Sequence, residues 1–252
     1  MLIINADDWG RDPAATDTTL ACYQAGRIST ASAMVFMQDS QRAAELADSA
    51  GLEPGLHINF TQDFDGPGCP PEIRAAQSRL RRFLKASKYA LLLYNPFRSR
   101  DFRLVFQAQL HEFERLYGRA PSHFDGHQHM HLATNMLVQQ IIPTGQRVRR
   151  SFSFGAHERS WLNRLYRRAV DRRLASTYRL TDFFFALSSH LDSGKLEKVV
   201  AIGRSKCVEL MTHAWNSAEY KRLMSKEFLQ LLHNAGMAIG LGVRGGANVA
   251  TS

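Results

Sequence analysis

The sequence predicts an α/β protein built on parallel strands, and three observations predict it. Short apolar runs of strand length alternate with amphipathic segments of helical length along the chain. Several of the intervening turns carry glycine or acidic residues. The residues able to do chemistry also recur at the carboxyl ends of the apolar runs, where parallel α/β folds gather catalytic groups.

In chain order, Leu2 to Ala6 reads as the first strand and ends in Asp7, Asp8 and Gly10. Residues 14–25 read as a helix, Ile28 to Phe36 as a strand, and 40–50 as a helix leading into Gly51. Leu56 to Phe60 is a short strand with His57 inside it, followed by a Gly/Pro-rich loop over 63–71 and a basic helix over 72–89. Residues 101–117 carry apolar side chains at helical spacing and stop at Gly118. Pro121 to Asp125 makes a strand running into Gly126, with a helix near 133–142. The stretch 147–154 alternates like a strand, 158–174 is a very basic helix, and 195–203 is a further helix. Lys206 to Thr212 is a buried strand, 225–235 a helix, and Ala238 to Val243 a last strand. There is no repeat, low-complexity tract or clear linker, so one domain is expected over 1–252, with a basic helical insertion near 72–103 and a flexible tail after 243.

Composition narrows the function classes. A chain of 252 residues can bury a sizeable core without staples. Its three cysteines show no CxxC spacing, so no disulfide framework is expected and a reducing compartment is the simplest reading. No signal peptide precedes the first strand, and no apolar run approaches the roughly 20 residues that span a bilayer, so a cytoplasmic protein is expected. The net charge of +9 favours anionic partners. Nucleic acid would explain that charge but not the acidic and histidine series described next, and no RNA-recognition, KH or zinc-finger signature is present.

Four features mark a candidate site: Asp7-Asp8 after the first strand, His57, the His127–His129–His131 run after Asp125, and His213 after Glu209 to Thr212. A carboxylate and two imidazoles suit Zn²⁺ or a similar divalent ion, with positions left for water and substrate. A second carboxylate beside the ion can take a proton from an acidified water, and a histidine opposite can protonate a leaving group. That set describes a hydrolase acting on an amide or ester. Taken singly the features decide little, since Asp also caps helices and single histidines are often semi-buried hydrogen-bonders. The HxHxH run is stronger, because period two on an extended segment faces three imidazoles one way.

The combination Asn5-Ala6-Asp7-Asp8-Trp9-Gly10, Gly55-Leu56-His57-Ile58-Asn59, Asp125-Gly126-His127-Gln128-His129-Met130-His131 and Glu209-Leu210-Met211-Thr212-His213 resembles the YdjC-like carbohydrate deacetylases. The resemblance runs from residue 2 to about 242. It implies a distorted (β/α) barrel related to the NodB-type polysaccharide deacetylases, and hydrolysis of the N-acetyl group of an amino sugar. It further implies one divalent metal ion, zinc or magnesium, held by Asp8, His57 and His127, with Asp7 as general base and His213 as general acid. Asp125 then orients a ligand histidine, Asn59 and Trp215 stand behind the ligands or touch substrate, and His129 and His131 line the sugar pocket or fix the loop. Where the family has Pro after the late histidine, this chain has Ala214-Trp215, which either shifts His213 or offers an aromatic platform to a sugar. A metal-dependent phosphoesterase or amidohydrolase on a related barrel is the rival, distinguished by a need for further bridging ligands.

The positive charge is concentrated. Arg74, Arg79, Arg81, Arg82, Lys85 and Lys88 precede Tyr89-Ala90-Leu91-Leu92-Leu93-Tyr94, then Phe97, Arg98, Arg100 and Arg103. A second group, Arg159, Arg164, Arg167, Arg168, Arg172 and Arg173, interleaves Trp161, Leu162, Leu165 and Tyr166. Such segments suit an anionic membrane surface, so the expected partners are an acetylated amino sugar, lipid-linked and met at the inner membrane face. The bland alternative is a solvated basic face over packed helices. A homodimer is compatible with the sequence.

Overall fold

The computed structural model describes residues 1–87, 89–154 and 160–236. The expected strand Ala238–Val243 and the tail after 243 lie outside the described residues. Six parallel strands form one sheet: β1 (Leu2–Trp9), β2 (Thr30–Ala33), β3 (Gly55–Ile58), β4 (Phe124–Gly126), β5 (Phe183–Ala186) and β6 (Val208–Thr212). Their order is β4-β3-β2-β1-β6-β5, and the sheet curls into a half-barrel.

Alternation along the strands sorts side chains to two faces. Ile4 and Ala6 on β1, Leu56 and Ile58 on β3, Phe124 on β4 and Val208 and Leu210 on β6 all lie in the apolar core. Fully burying each Leu or Ile contributes roughly 1.5–3 kcal/mol. The opposite parity is largely polar, with Asn5, Asp7, His57, Asp125 and Glu209 all buried. A polar barrel interior wrapped in an apolar shell is the frame for the site.

Helices α1 (Pro13–Gln24), α2 (Ser40–Ala50), α3 (Pro71–Lys85), α4 (Ser99–Tyr117), α5 (Thr134–Gln139), α6 (Trp161–Ala175), α7 (Ser193–Gly203), α8 (Ser217–Met224) and α9 (Lys226–Asn234) complete the chain. Asp12 caps α1 by accepting from the Ala15 amide, so the cap is four residues beyond Asp8. The short β5 and α8 fall outside the periodic segments read from sequence.

The segment 147–154 is not a regular strand. Its backbone joins the two edges of the sheet: Phe124 N donates to Arg147 O at 2.8 Å and Arg149 N to Phe124 O at 3.0 Å, while Val148 N donates to Arg179 O at 3.0 Å. The Ser151 amide donates to the Asp171 carboxylate instead of a neighbouring strand, which interrupts the pairing before Ser153 N donates to Phe184 O of β5 at 2.9 Å. Cys22, Cys69 and Cys207 are free thiols. Among the described residues, no helix is long and apolar enough to cross a membrane.

Candidate active site

Adjacent residues of a strand point to opposite faces, so Asp7 and Asp8 should part company. A break in β1 changes that. Asp8 has φ 71°, and the register of β1 against β2 shifts between Ala6 and Trp9. Aspartate tolerates this left-handed conformation better than most residues. Both carboxylates consequently serve one cluster.

β3 and β4 supply the imidazole and its orienting carboxylate by register. His57 pairs with Asp125 across the parallel ladder, and His57 Nδ1 donates to Asp125 Oδ1 at 2.8 Å. That bond leaves Nε2 facing Asp8 Oδ1 at 3.5 Å. His127 Nδ1 lies 3.1 Å from the same oxygen. One ligand atom from each of Asp8, His57 and His127 falls within 4.8 Å of the others. The second oxygen of Asp8 accepts from Arg11 at 2.7 Å and from the Trp215 indole N–H at 2.9 Å. Arg11 also lies over the Trp215 ring, 4.4 Å from its centroid.

Behind this cluster sits Arg149, which sequence reasoning missed. Its guanidinium grips both oxygens of Asp7 at 2.7 Å, and reaches Asp125 at 2.6 Å and Glu209 at 2.6 Å. Asn5 donates to Asp7 Oδ1 and Ser32 to Asp125 Oδ2, completing the network. The only sequence signal for Arg149 is its place in an alternating run, and its three partners come from three other strands.

Three buried carboxylates, Asp7, Asp125 and Glu209, thus share one buried guanidinium, while the buried Asp8 meets Arg11 at 2.7 Å. The histidines register the excess negative charge. Burial disfavours a charged His57, yet Asp125, Asp7 and Asp8 push its pKa up to about 10. Asp8 is held well below the usual carboxylate range by His127 and His57 against the opposing effect of burial. Arg149 and His57 depress Asp125 in the same way, again against burial. A cation bound among Asp8, His57 and His127 would balance this charge, and a donor set of one carboxylate and two imidazoles fits a divalent ion. Asp7, His57 and Asp125 form a second cluster of ligand atoms within 4.8 Å, but Arg149 already engages both carboxylates.

The HxHxH run does not present three imidazoles side by side. β4 ends at Gly126, and His127–Leu132 forms a tight helical turn with positive φ at Gln128 (54°) and His129 (59°). Period two needs an extended chain, so only His127 reaches the cluster. A Cβ on Gly126 would meet the His131 amide at 2.8 Å, so the turn needs glycine there. His129 packs edge-on against Phe152, ring centroids 4.5 Å apart. His131 donates from Nε2 to the Arg149 carbonyl at 3.0 Å, which fixes the segment bearing the guanidinium. Asn59 is also not brought to the cluster. Its side-chain oxygen accepts from the Thr61 and Gln62 amides and its amide donates to Gln62 O, so it shapes the turn after β3.

His213 follows β6, where its amide donates to Glu219 Oε2 at 3.0 Å and its Nδ1 lies 3.7 Å from Glu219 Oε1. Burial opposes its charged form, but Glu219, Asp7 and Asp8 raise its pKa overall. Glu219 comes from α8, an element absent from the sequence reading. Trp215 neither displaces His213 from this partner nor stands clear as a platform; it braces Asp8, with 41% of its surface exposed.

A family model described as YdjC-like protein matches residues 1–234. The chain belongs to the YdjC-like family. A human protein named carbohydrate deacetylase is 30% identical over 241 residues, which cover 84% of this chain and 74% of the human protein. A Serratia marcescens protein named chitooligosaccharide deacetylase is 32% identical over 135 residues, spanning 52% of this chain and about half (51%) of its own length. A crystal structure from Enterococcus faecalis V583, described as a cellobiose-phosphate cleavage protein, matches with a TM-score of 0.69 at 17% identity, covering 95% of this chain and 96% of that one. That last likeness establishes a shared fold.

Proposed function

We propose that this YdjC-like protein is a metal-dependent deacetylase that hydrolyses the N-acetyl group of an acetylated amino sugar. The observation that carries the reading is the meeting of Asp8, His57 and His127 within 4.8 Å, beside an Asp7 clamped by Arg149. The names of the human and Serratia relatives support the substrate class. Asp8, His57 and His127 would hold the ion, which when bound would supply Lewis acidity toward a water and an amide carbonyl. Two imidazoles and one carboxylate favour zinc or a similar transition ion over magnesium, which prefers oxygen ligands.

The protein's own groups divide the proton work. Asp7 accepts the proton of the attacking water at Oδ2, which keeps a lone pair beside its one guanidinium bond, while Arg149 and Asn5 occupy Oδ1 and fix the carboxylate's orientation. Asp125 holds His57 in the tautomer that turns Nε2 toward the cation position. His213, kept protonated by Glu219 and the aspartates, gives its proton to the departing amine. A lipid carrier for the sugar rests on the surface around the site, not on the site itself.

Acetate release tests the reading. Metal-stripped protein should be inactive on acetylated chitooligosaccharides and regain turnover with one equivalent of divalent ion. A requirement for two ions per chain would favour the rival phosphoesterase or amidohydrolase chemistry. No acetate from any N-acetylated sugar in reconstituted protein would refute the proposal.

A further inference from the structure

The exposed apolar residues are distributed very unevenly. Among the described residues, all the exposed large apolar side chains except Met1 and Leu229 lie in the loop before α4, on α5, on the first half of α6, or at Trp215 beside the cation cluster. Phe97 is 87% exposed, Leu93 58%, Trp161 65% and Leu165 55%.

These elements share one end of the barrel. α4 leads down to the start of β4, α5 to the bridging segment 147–150, and α6 to the start of β5, so each helix begins at the carboxyl end of the sheet, where Asp8 and His57 lie. The loop is pinned there: Asn135 exchanges hydrogen bonds with the Asn95 backbone, and Thr134 donates to Leu91 O, both residues following directly on the turn that carries His127. On the other side Arg167 of α6 lies over Phe152, the ring against which His129 packs. Aromatic and aliphatic side chains therefore rim one side of the catalytic mouth.

Charge selects the occupant. No Asp or Glu occurs in 86–100 or in 160–170, whereas Arg98, Arg100, Arg164, Arg167 and Arg168 do; Arg98 pairs with Asp101 at 3.3 Å and Arg167 bonds Asn163, so the positive excess of this face rests on Arg100, Arg164 and Arg168. A two-fold pairing of this face with a second copy would set those arginines against one another. Nucleic acid would meet the arginines but leave the leucines unpaired. We propose that this rim docks on an anionic lipid bilayer, its aromatic and leucine side chains entering the interface and its arginines meeting lipid phosphates. The mouth then faces the membrane, and the deacetylase proposed above receives its amino sugar on a lipid carrier.

Flotation with vesicles tests this on the full chain, using pure phosphatidylcholine against phosphatidylcholine mixed with phosphatidylglycerol. The expected result is flotation with the anionic vesicles, weakened by salt. The double variants Phe97→Ser with Leu93→Ser, and Trp161→Ser with Leu165→Ser, should each cut partitioning about tenfold or more. Acetate release from a soluble chitooligosaccharide should remain unchanged in both variants, which shows they are folded and separates this proposal from the activity itself. Absence of flotation by the unaltered protein overturns it. So does flotation that neither variant weakens, or a concentration-dependent dimer that both variants abolish while vesicles are ignored.

Discussion

Glu209 provides a stringent test of the buried charge network. It lies on β6 at 7% exposure, 2.6 Å from Arg149 Nε, and borders a cavity of about 700 Å³ at the amino end of the barrel with Arg147 and His123. Burial pushes its pKa from 4.5 up to about 7, with Asp125 and Asp7 adding to the rise and Arg149 opposing it. The folded protein therefore keeps this proton to higher pH than the unfolded chain. Between about pH 4.5 and 7 the folded state binds more protons, so this group's contribution to stability falls as pH rises. At 1.36 kcal/mol per unit, the full cost above pH 7 is about 3 kcal/mol. Glu209→Gln removes the ionisation. Urea unfolding of metal-stripped protein at several pH values from about 4.5 to 8 should show the variant gaining on the parent by about 3 kcal/mol across that window. His123 and His131, both buried and depressed to about 4, give the opposite slope below pH 6.5, because each loses stability as pH falls. Their effect is common to both proteins and cancels in the difference. A difference between variant and parent that stays flat with pH would refute the account of Arg149 as a single cation shared among too many carboxylates.

Two substitutions separate the roles of residues around the cation position. Asp7→Asn should retain the ion, measured by elemental analysis, while turnover falls by about 10²–10⁴, the range typical of a lost general base; full activity in the variant would remove Asp7 from that role. Trp215→Phe deletes the indole N–H bonded to Asp8 Oδ2 and should weaken metal affinity about 10- to 100-fold in a chelator competition, a loss typical of an outer-shell partner. Unchanged affinity would mean that Arg11 alone orients Asp8.

What could be read from sequence follows from what one-dimensional pattern encodes. Asp7, Asp8, His127 and His213 could be placed because each sits at or just past a strand end, and His57 because it lies within a short apolar run; strands show as apolar runs. Roles that depend on three-dimensional pairing were not. His57 finds Asp125 only because β3 and β4 align in parallel register. Arg149 reads as one more surface cation of a basic stretch, and its burial depends on segment 147–150 bridging both edges of the sheet. The expectation of three imidazoles facing one way fails for a definable reason: period two holds only while the chain stays extended, and it turns at Gly126. Asn59 shows a different limit, since its polar atoms satisfy a turn that composition alone does not reveal.

The division of labour between the two neighbouring aspartates traces to one backbone angle. Asp7 keeps the inward parity of Asn5 two residues earlier, so its carboxylate meets the buried guanidinium and is held at both oxygens. A carboxylate gripped this way is a poor candidate for ligation but a well-oriented proton acceptor. Asp8, rotated by its φ of 71°, escapes Arg149; Arg11 and Trp215 restrain one oxygen and leave the other to the two imidazoles. With a regular β conformation at residue 8, the dipeptide would direct one carboxylate into the barrel and the other into the apolar shell. An uncompensated charge would then be buried among Leu and Ile at a cost of several kcal/mol. The strained residue is thus the step by which a strand, whose side chains ordinarily alternate, brings two neighbouring carboxylates to one cluster, as the proposed pairing of base and ligand requires.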